Sequence, residues 1–379
     1  MRKFTVEIKP LTPIWTGDAD RKVTTLRETG IIGSLRWWYE ALIRGYGGFA
    51  CDPTGTNEKL KCKLDEKKFK ELLKSEKSIK KALDKSGICS ACQLFGCTGW
   101  SRRFRLEIDY KEEKIPLFFV SSYQNKNWLH KITEGQNEIL WSKDPIKLNF
   151  IPMNNDKDFE LEDIIKALIF IISRYGGLGA KLQYGFGQFD TDIDKMTVKN
   201  GVQLIKNNIN EEKDKNPTLI SFSNFFMMKF RMSSNNPILK EYMRNKNLLV
   251  KVKMTPERWD WNFIPCAFDI KYKGKINDKE FGLREYFRQK YDDEIVKDVF
   301  GYSNLKSNAK KGSDIFVSHL YKDNNNGRYY LKVYGFLNEN FAQKFKTEIK
   351  LNLKEKLGAD IEEEVSGKEL MEGLLNDMY

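Results

Sequence analysis

Histidine is almost missing from this chain: among 379 residues only His130 and His319 occur, far apart in sequence. That scarcity argues against a histidine-based metal site and against a serine–histidine–aspartate triad. Each histidine reads as a satisfied structural or surface residue. Also missing is any apolar run of membrane-spanning length, because Ile164–Ile172 is too short and reads as a buried helix. Met1–Pro10 lacks the apolar segment of a secretory signal and reads as the start of a strand. A soluble, cytoplasmic chain with no membrane partner is the expectation. Acidic residues are in deficit, 53 against 65 Lys and Arg, for a net charge of +12. This balance points to a polyanionic partner or an acidic protein neighbour.

What is present is a regular glycine spacing: Gly177, Gly179, Gly185 and Gly187 fall as G-x-G-x5-G-x-G, directly after the apolar run, with Lys181 between them. Glycine tolerates positive φ and lets another backbone approach closely. Consecutive N–H groups in such a loop can form an anion-binding concavity, and Lys181 adds a charge, so a phosphate is the expected client. Two familiar phosphate loops are excluded. The loop does not end in Gly-Lys-Ser/Thr, and Leu182 stands where a dinucleotide fingerprint needs its third glycine.

The length suggests about two domains. Phe4–Ile8 alternates as a strand and Gly33-Ser34 reads as a helix opening, with Ser34 as cap and Leu35, Trp38 and Leu42 on one face. Lys59–Lys85 holds eleven lysines against five acids and reads as an amphipathic helical insertion. Strand-like Phe104–Tyr110, Leu117–Ser121 and Ile146–Ile151 follow, then a helix Leu161–Tyr175 and a strand Phe186–Asp190. This order suits a split β-α-β, ferredoxin-like unit at 1–195 with an insertion at about 50–97. Polar residues 196–218 read as a linker. A second unit, 219–379, opens with strands Phe225–Met232 and Leu248–Met254 and a helix Gly282–Lys290. Its hairpin, Ser313–Tyr321 with Arg328–Leu337, turns at Asp323–Gly327, and a helix Ala342–Lys356 and an acidic tail follow.

Two further segments carry chemistry. In Gly33–Tyr39 an arginine, Arg36, sits beside Trp37 and Trp38 at the expected helix start, where free N–H groups favour phosphate. Trp37 is expected to be partly accessible for base stacking and Trp38 buried. In Cys89–Arg105, Trp100 precedes Arg102 and Arg103, an interleaving suited to a nucleic-acid backbone and a stacked base. Cys89-x2-Cys92 is half of a thiolate zinc site, and Cys51 with Cys62 can supply the rest. A structural zinc on these residues and a set of reduced, unliganded thiols both stand as readings.

The segments TPIWTG, ETGIIGSLRWWYEALIRG, CxxCxLFGCTGWSRRFR and GGLGAKLQYGFGQF, in that order over residues 4–190, closely resemble the RAMP superfamily. Within it the resemblance is to the subunit that caps the type III-B CRISPR effector (Cmr) complex at the crRNA 3′ end. It implies an α+β fold of two tandem ferredoxin-like (RRM-like) RAMP domains with helical insertions. It also implies a non-catalytic antiviral-defence subunit that binds single-stranded RNA, crRNA or target, among other effector subunits. Carried onto this sequence, the RNA contacts fall on Arg21, Lys22, Arg27, Arg36, Trp37, Arg44, Trp100, Arg102, Arg103, Gly177, Gly179, Lys181 and Tyr184. The competing readings are a metal-independent crRNA-processing endoribonuclease, with Tyr184 or Lys181 in place of histidine, and an adaptor that binds an acidic protein through the lysine-rich insertion.

Overall fold

The computed structural model describes residues 3–375, apart from 56, 117–118, 121–132, 134, 137, 154–159, 210–218, 245–248, 251–261, 277–278, 304–309 and 324–325. The first unit builds on β1 (Phe4–Pro10), whose Phe4, Val6 and Ile8 face the core while Thr5, Glu7 and Lys9 face solvent. Helix α1 (Glu28–Gly45) follows. The insertion then forms α2 (Glu66–Glu76), α3 (Ile79–Lys85) and α4 (Ser90–Phe95), helical as expected but in separate pieces. Strands β2 (Phe104–Asp109) and β3 (Ile146–Pro152), helix α5 (Leu161–Tyr175) and a short β4 (Phe189–Asp190) complete it. The sheet order is β2-β3-β1-β4 and every neighbouring pair is antiparallel. This is the ferredoxin-like arrangement, with α1 and α5 as the two crossover helices.

The second unit repeats it. Strand β5 (Phe225–Met232) pairs along its length with β8 (Tyr329–Phe336), and β8 also receives β6 (Ile315–Val317) and β7 (Leu320–Lys322). Helix α7 (Glu339–Leu357) leads back to β9 (Asp360–Ser366) on the far side of β5. Read from β6 and β7 through β8 and β5 to β9, the order is that of the first sheet. The acidic tail therefore contains an edge strand. Its glutamates are held by bases, Glu362 by Arg231 at 3.3 Å and Glu364 by Lys346 and Lys350 at 3.0 and 2.8 Å.

The two units share one core. Buried Trp38 of α1 lies 5.9 Å from Phe225, 6.0 Å from Phe336 and 6.5 Å from Tyr334, ring centre to ring centre. Where a linker was expected at 196–218, Lys195–Asn207 instead forms helix α6. It packs tightly on α5: a side chain at Gly201 would stand 2.1 Å from the Asp163 carbonyl oxygen. Residues 210–218 lie outside the described part, as do most of the expected strand at Leu248–Met254 and His130.

Helix α1 corrects a second expectation. It starts at Glu28, capped by extended Arg27, so Gly33 and Ser34 lie inside it and not at its opening. Glycine normally weakens a helix interior, but Gly30 is required here, since its Cβ would meet that of Thr16 at 2.9 Å.

Candidate nucleic-acid interface

The glycine loop follows α5 and folds back through a 3-10 turn at Leu182–Tyr184. Most of its N–H groups bind protein. Leu178 N donates to Gly187 O, Gly179 N to Ser34 Oγ, Ala180 N to Trp15 O, Gly185 N to Leu182 O and Gly187 N to Pro13 O. The expected phosphate nest is therefore not what the glycines build. They permit contact: a Cβ on Gly179 would stand 2.6 Å from Trp15 O, and one on Gly185 2.4 Å from His319 Nδ1, both at positive φ. Gly177, buried, accepts from Trp38 Nε1 at 3.0 Å. The loop is a rigid brace that pins both halves of the chain together.

Against this brace lies a groove of about 370 Å³, lined by Gly33, Ser34 and Trp37 of α1, by Gly179–Gln183 of the loop and by Phe316 of β6. Nothing would touch a Cβ at Gly33, so α1 presents bare backbone there. Trp37 is half-buried, edge-on to Trp38 at 5.1 Å and to Phe336 at 5.4 Å, as the expected split between the tryptophans requires. The Lys181 ammonium stands 3.9 Å from the centre of the Trp15 ring, a cation–π contact that holds the charge at the groove. The groove thus combines an aromatic surface, a cation and exposed backbone.

Across the turn at Gln183 a second pocket of about 470 Å³ opens, lined by Tyr184, Phe268, Tyr272, Lys273, Arg284, Glu285, Phe300, Tyr302 and Lys311 among others. Tyr184 falls here, its hydroxyl pKa raised by burial. Beneath it Lys271 is fully buried, donates to Gln183 O at 3.4 Å and is pushed down to about 7 by burial and by the Arg284 charge. Sequence reasoning missed this pocket. Apart from Tyr184, its aromatics are scattered over residues 268–302 with no shared motif.

The remaining expected contacts divide. Arg21, Lys22 and Arg27 are exposed on the loop before α1 but do not line the groove. Arg102 is exposed, with Nε donating to Phe104 O, whereas Arg103 is buried beside the Trp100 ring at 5.3 Å. Trp100 itself packs on Phe69 at 5.6 Å and donates to Gln93 O. Arg36 points away from the groove and donates to Glu40 at 2.7 Å, Gly96 O at 2.8 Å and Cys92 Sγ at 3.2 Å. Arg44 binds the carbonyls of Ala50, Cys51 and Ile220. Of the expected contacts Arg36, Arg102, Arg103 and Lys181, only Lys181 lines the groove. With the cap at Arg27 and not at Ser34, Arg36 lies about two turns deeper in α1 than expected.

Arg36 and Arg44 border a cysteine cluster. The sulfurs of Cys51, Cys62, Cys89 and Cys92 all lie within 4.8 Å of one another and all four residues are buried. Cys51 and Cys92 approach to 3.4 Å. The donor set could hold a metal ion such as zinc. Cys89 and Cys92 come from the start of α4, Cys51 follows α1, and Cys62 precedes α2, so the cluster gathers the insertion onto the body. Elsewhere, His319 is fully buried and neutral, its pKa lowered to about 3 by burial, with Nδ1 accepting from Ala267 N and the ring edge-on to Phe186.

Residues 7–190 match the family model described as RAMPs: RAMP superfamily. Comparison with curated proteins gives no match. Among solved structures, the chain is similar to Cmr1 from Pyrococcus furiosus in its apo form, with 14% identity, TM-score 0.44 and coverage of 89% of each chain. It is also similar to a chain of the Type III-B Cmr-beta bound to cognate target RNA and AMPPnP in the presence of ssDNA, at 12% identity and TM-score 0.40, covering 92% of this chain and 98% of that one. A chain of Cmr-beta bound to cognate target RNA gives 12% identity and TM-score 0.38, covering 92% and 99%. Among the described residues no helix is long and apolar enough to cross a membrane.

Proposed function

We propose, from the match of residues 7–190 to the RAMP superfamily model, that this chain is a non-catalytic, single-stranded-RNA-binding subunit of a type III-B (Cmr) CRISPR effector. Its partners are crRNA or target RNA and the other effector subunits. The observation that carries this reading is the groove in which half-buried Trp37, Lys181 and the bare backbone at Gly33 meet. An aromatic ring stacks an unpaired base of any identity, and a nearby cation takes the backbone phosphate. The duplex alternative fits less well, since single strands expose the base faces that Trp37 can meet.

Catalysis has little support in the same site. A ribonuclease needs a proton donor and acceptor beside the scissile phosphate. His319 is buried and pKa-lowered, Tyr184 is pushed away from neutrality, and Lys181 is engaged with Trp15. Incubation of the purified chain with labelled single-stranded RNA and EDTA tests this. Intact RNA in a salt-sensitive complex agrees with the proposal, and discrete cleavage products abolished by Lys181→Ala contradict it.

We propose also that the cysteine cluster holds a structural zinc. Four thiolates about 2.3 Å from one zinc lie roughly 3.8 Å apart, within the spread of the sulfurs here. Four thiolates on one Zn²⁺ leave a net charge of −2, and Arg36 at Cys92 Sγ supplies a compensating cation from α1. Zinc would thereby fasten the lysine-rich insertion to the helix that forms the groove wall.

A further inference from the structure

We propose that the pocket across Gln183 receives one unstacked nucleotide of the same single-stranded RNA, its phosphate taken by Arg284 and its base laid against the tyrosines at the mouth. The proposal rests on the RNA-binding reading above and extends the path of the strand into the second unit. Three observations support it. First, the site has the size and lining of a ligand pocket, about 470 Å³ with aromatic walls and a few convergent charges. Tyr302 is 40% exposed, and Phe268 and Tyr272 sit 4.6 Å apart, ring centre to ring centre.

Second, the charges are unequal in their commitments. Lys273 is 3.6 Å from Glu280, Lys311 is 3.0 Å from Asp314, and Glu285 is engaged by Arg288 at 2.7 Å. Arg284 stands over Tyr272 at 5.7 Å, and among the described residues its buried Nε finds no hydrogen-bond acceptor. A guanidinium donor left unmet inside a pocket is costly unless an anion completes it. Fully buried Lys271 lies below as a second basic group, while Glu285 and Asp293 act on Arg284 without meeting its Nε.

Third, the pocket adjoins the groove. Gln183 lines both, so the turn at Leu182–Tyr184 forms a saddle between the Trp37 side and the Arg284 side. A strand stacked on Trp37 crosses that saddle and places a following nucleotide against Arg284.

The test uses the full chain and a fluorescein-labelled decamer of uridylate. Arg284→Gln and Tyr302→Ala are each expected to weaken binding about tenfold without lowering the melting temperature, with Trp37→Ala as the groove control. Shortening the RNA to a tetramer should erase the difference between Tyr302→Ala and wild type. Should Arg284→Gln lower the melting temperature, Tyr302→Ala decides alone, because its ring is largely at the surface. Affinities of both variants within twofold of wild type, with Trp37→Ala weakened, overturn the pocket and leave the RNA-binding reading standing. No binding by the wild-type chain overturns both.

Discussion

The ammonium of Lys181 sits 3.9 Å above the ring of Trp15, 166 residues earlier in the chain, and holds the glycine loop against the first β–α connection. This contact fixes a cation at the groove. Lys181→Gln should therefore weaken single-stranded RNA about fivefold at low salt and reduce the salt slope by about 0.7, the value of one phosphate contact on a single strand. Fluorescence anisotropy at four salt concentrations measures both. An unchanged slope would place Lys181 outside the RNA path.

Arg36 has the opposite expectation. Its guanidinium is bound to Glu40, Gly96 O and Cys92 Sγ, with only 17% of the side chain exposed. Arg36→Ala leaves Glu40 buried with one fewer cation and should destabilise the fold by about 3 kcal/mol. RNA affinity per folded molecule should stay within twofold. Thermal melts paired with active-fraction binding titrations separate the two effects, and an affinity loss at unchanged melting temperature would return Arg36 to the interface.

Zinc content is directly measurable. Protein purified without chelator should carry about one zinc per chain, and Cys89→Ser should lose it together with several degrees of melting temperature. The insertion should then become the first site of proteolysis. Less than about a tenth of an equivalent in the wild type would leave the reduced-thiol reading in its place.

His319 makes the stability of the chain pH-dependent. Its pKa is about 3 folded against about 6.5 unfolded, so the unfolded state binds more protons between those values. Stability is therefore fully present above pH 6.5 and declines as pH falls. Between pH 6.5 and 5 the loss from this residue is about 2 kcal/mol at 1.36 kcal/mol per unit. His319→Phe, which keeps ring contact with Phe186, should flatten that segment of the urea-denaturation profile. An unchanged slope would show that His319 is not the group responsible.

The pattern of the first unit was legible because its strands alternate and its helices carry one apolar face, as in β1 and in Leu35, Trp38 and Leu42 of α1. The tandem fold followed from four motifs in order, and the sheet order of each unit agrees with it. The four clustered cysteines were also legible, since the C-x2-C pair marks a shared metal-type geometry that the fold brings together. Three features were not. Gly30 and Gly33 look like breakers, but close packing on Thr16 and the open groove make them acceptable inside α1. Glu362–Glu364 looks like a solvated tail, whereas it pairs with β5 and is met by Arg231 of that strand and by Arg174 and Lys350 of α5 and α7. The cationic residues around Cys89–Arg105 look like an RNA edge, and only tertiary contacts reveal that Arg36, Arg44 and Arg103 bind protein.

The most direct test of the account is a titration of labelled single-stranded RNA against the wild-type chain and Trp37→Ala over a range of salt, with duplex DNA as control. The account predicts preference for single-stranded RNA, a linear fall of log affinity with log salt, and a loss of about 1–3 kcal/mol in Trp37→Ala at an unchanged slope. Equal affinity for both nucleic acids, or a Trp37→Ala variant indistinguishable from wild type, would contradict it.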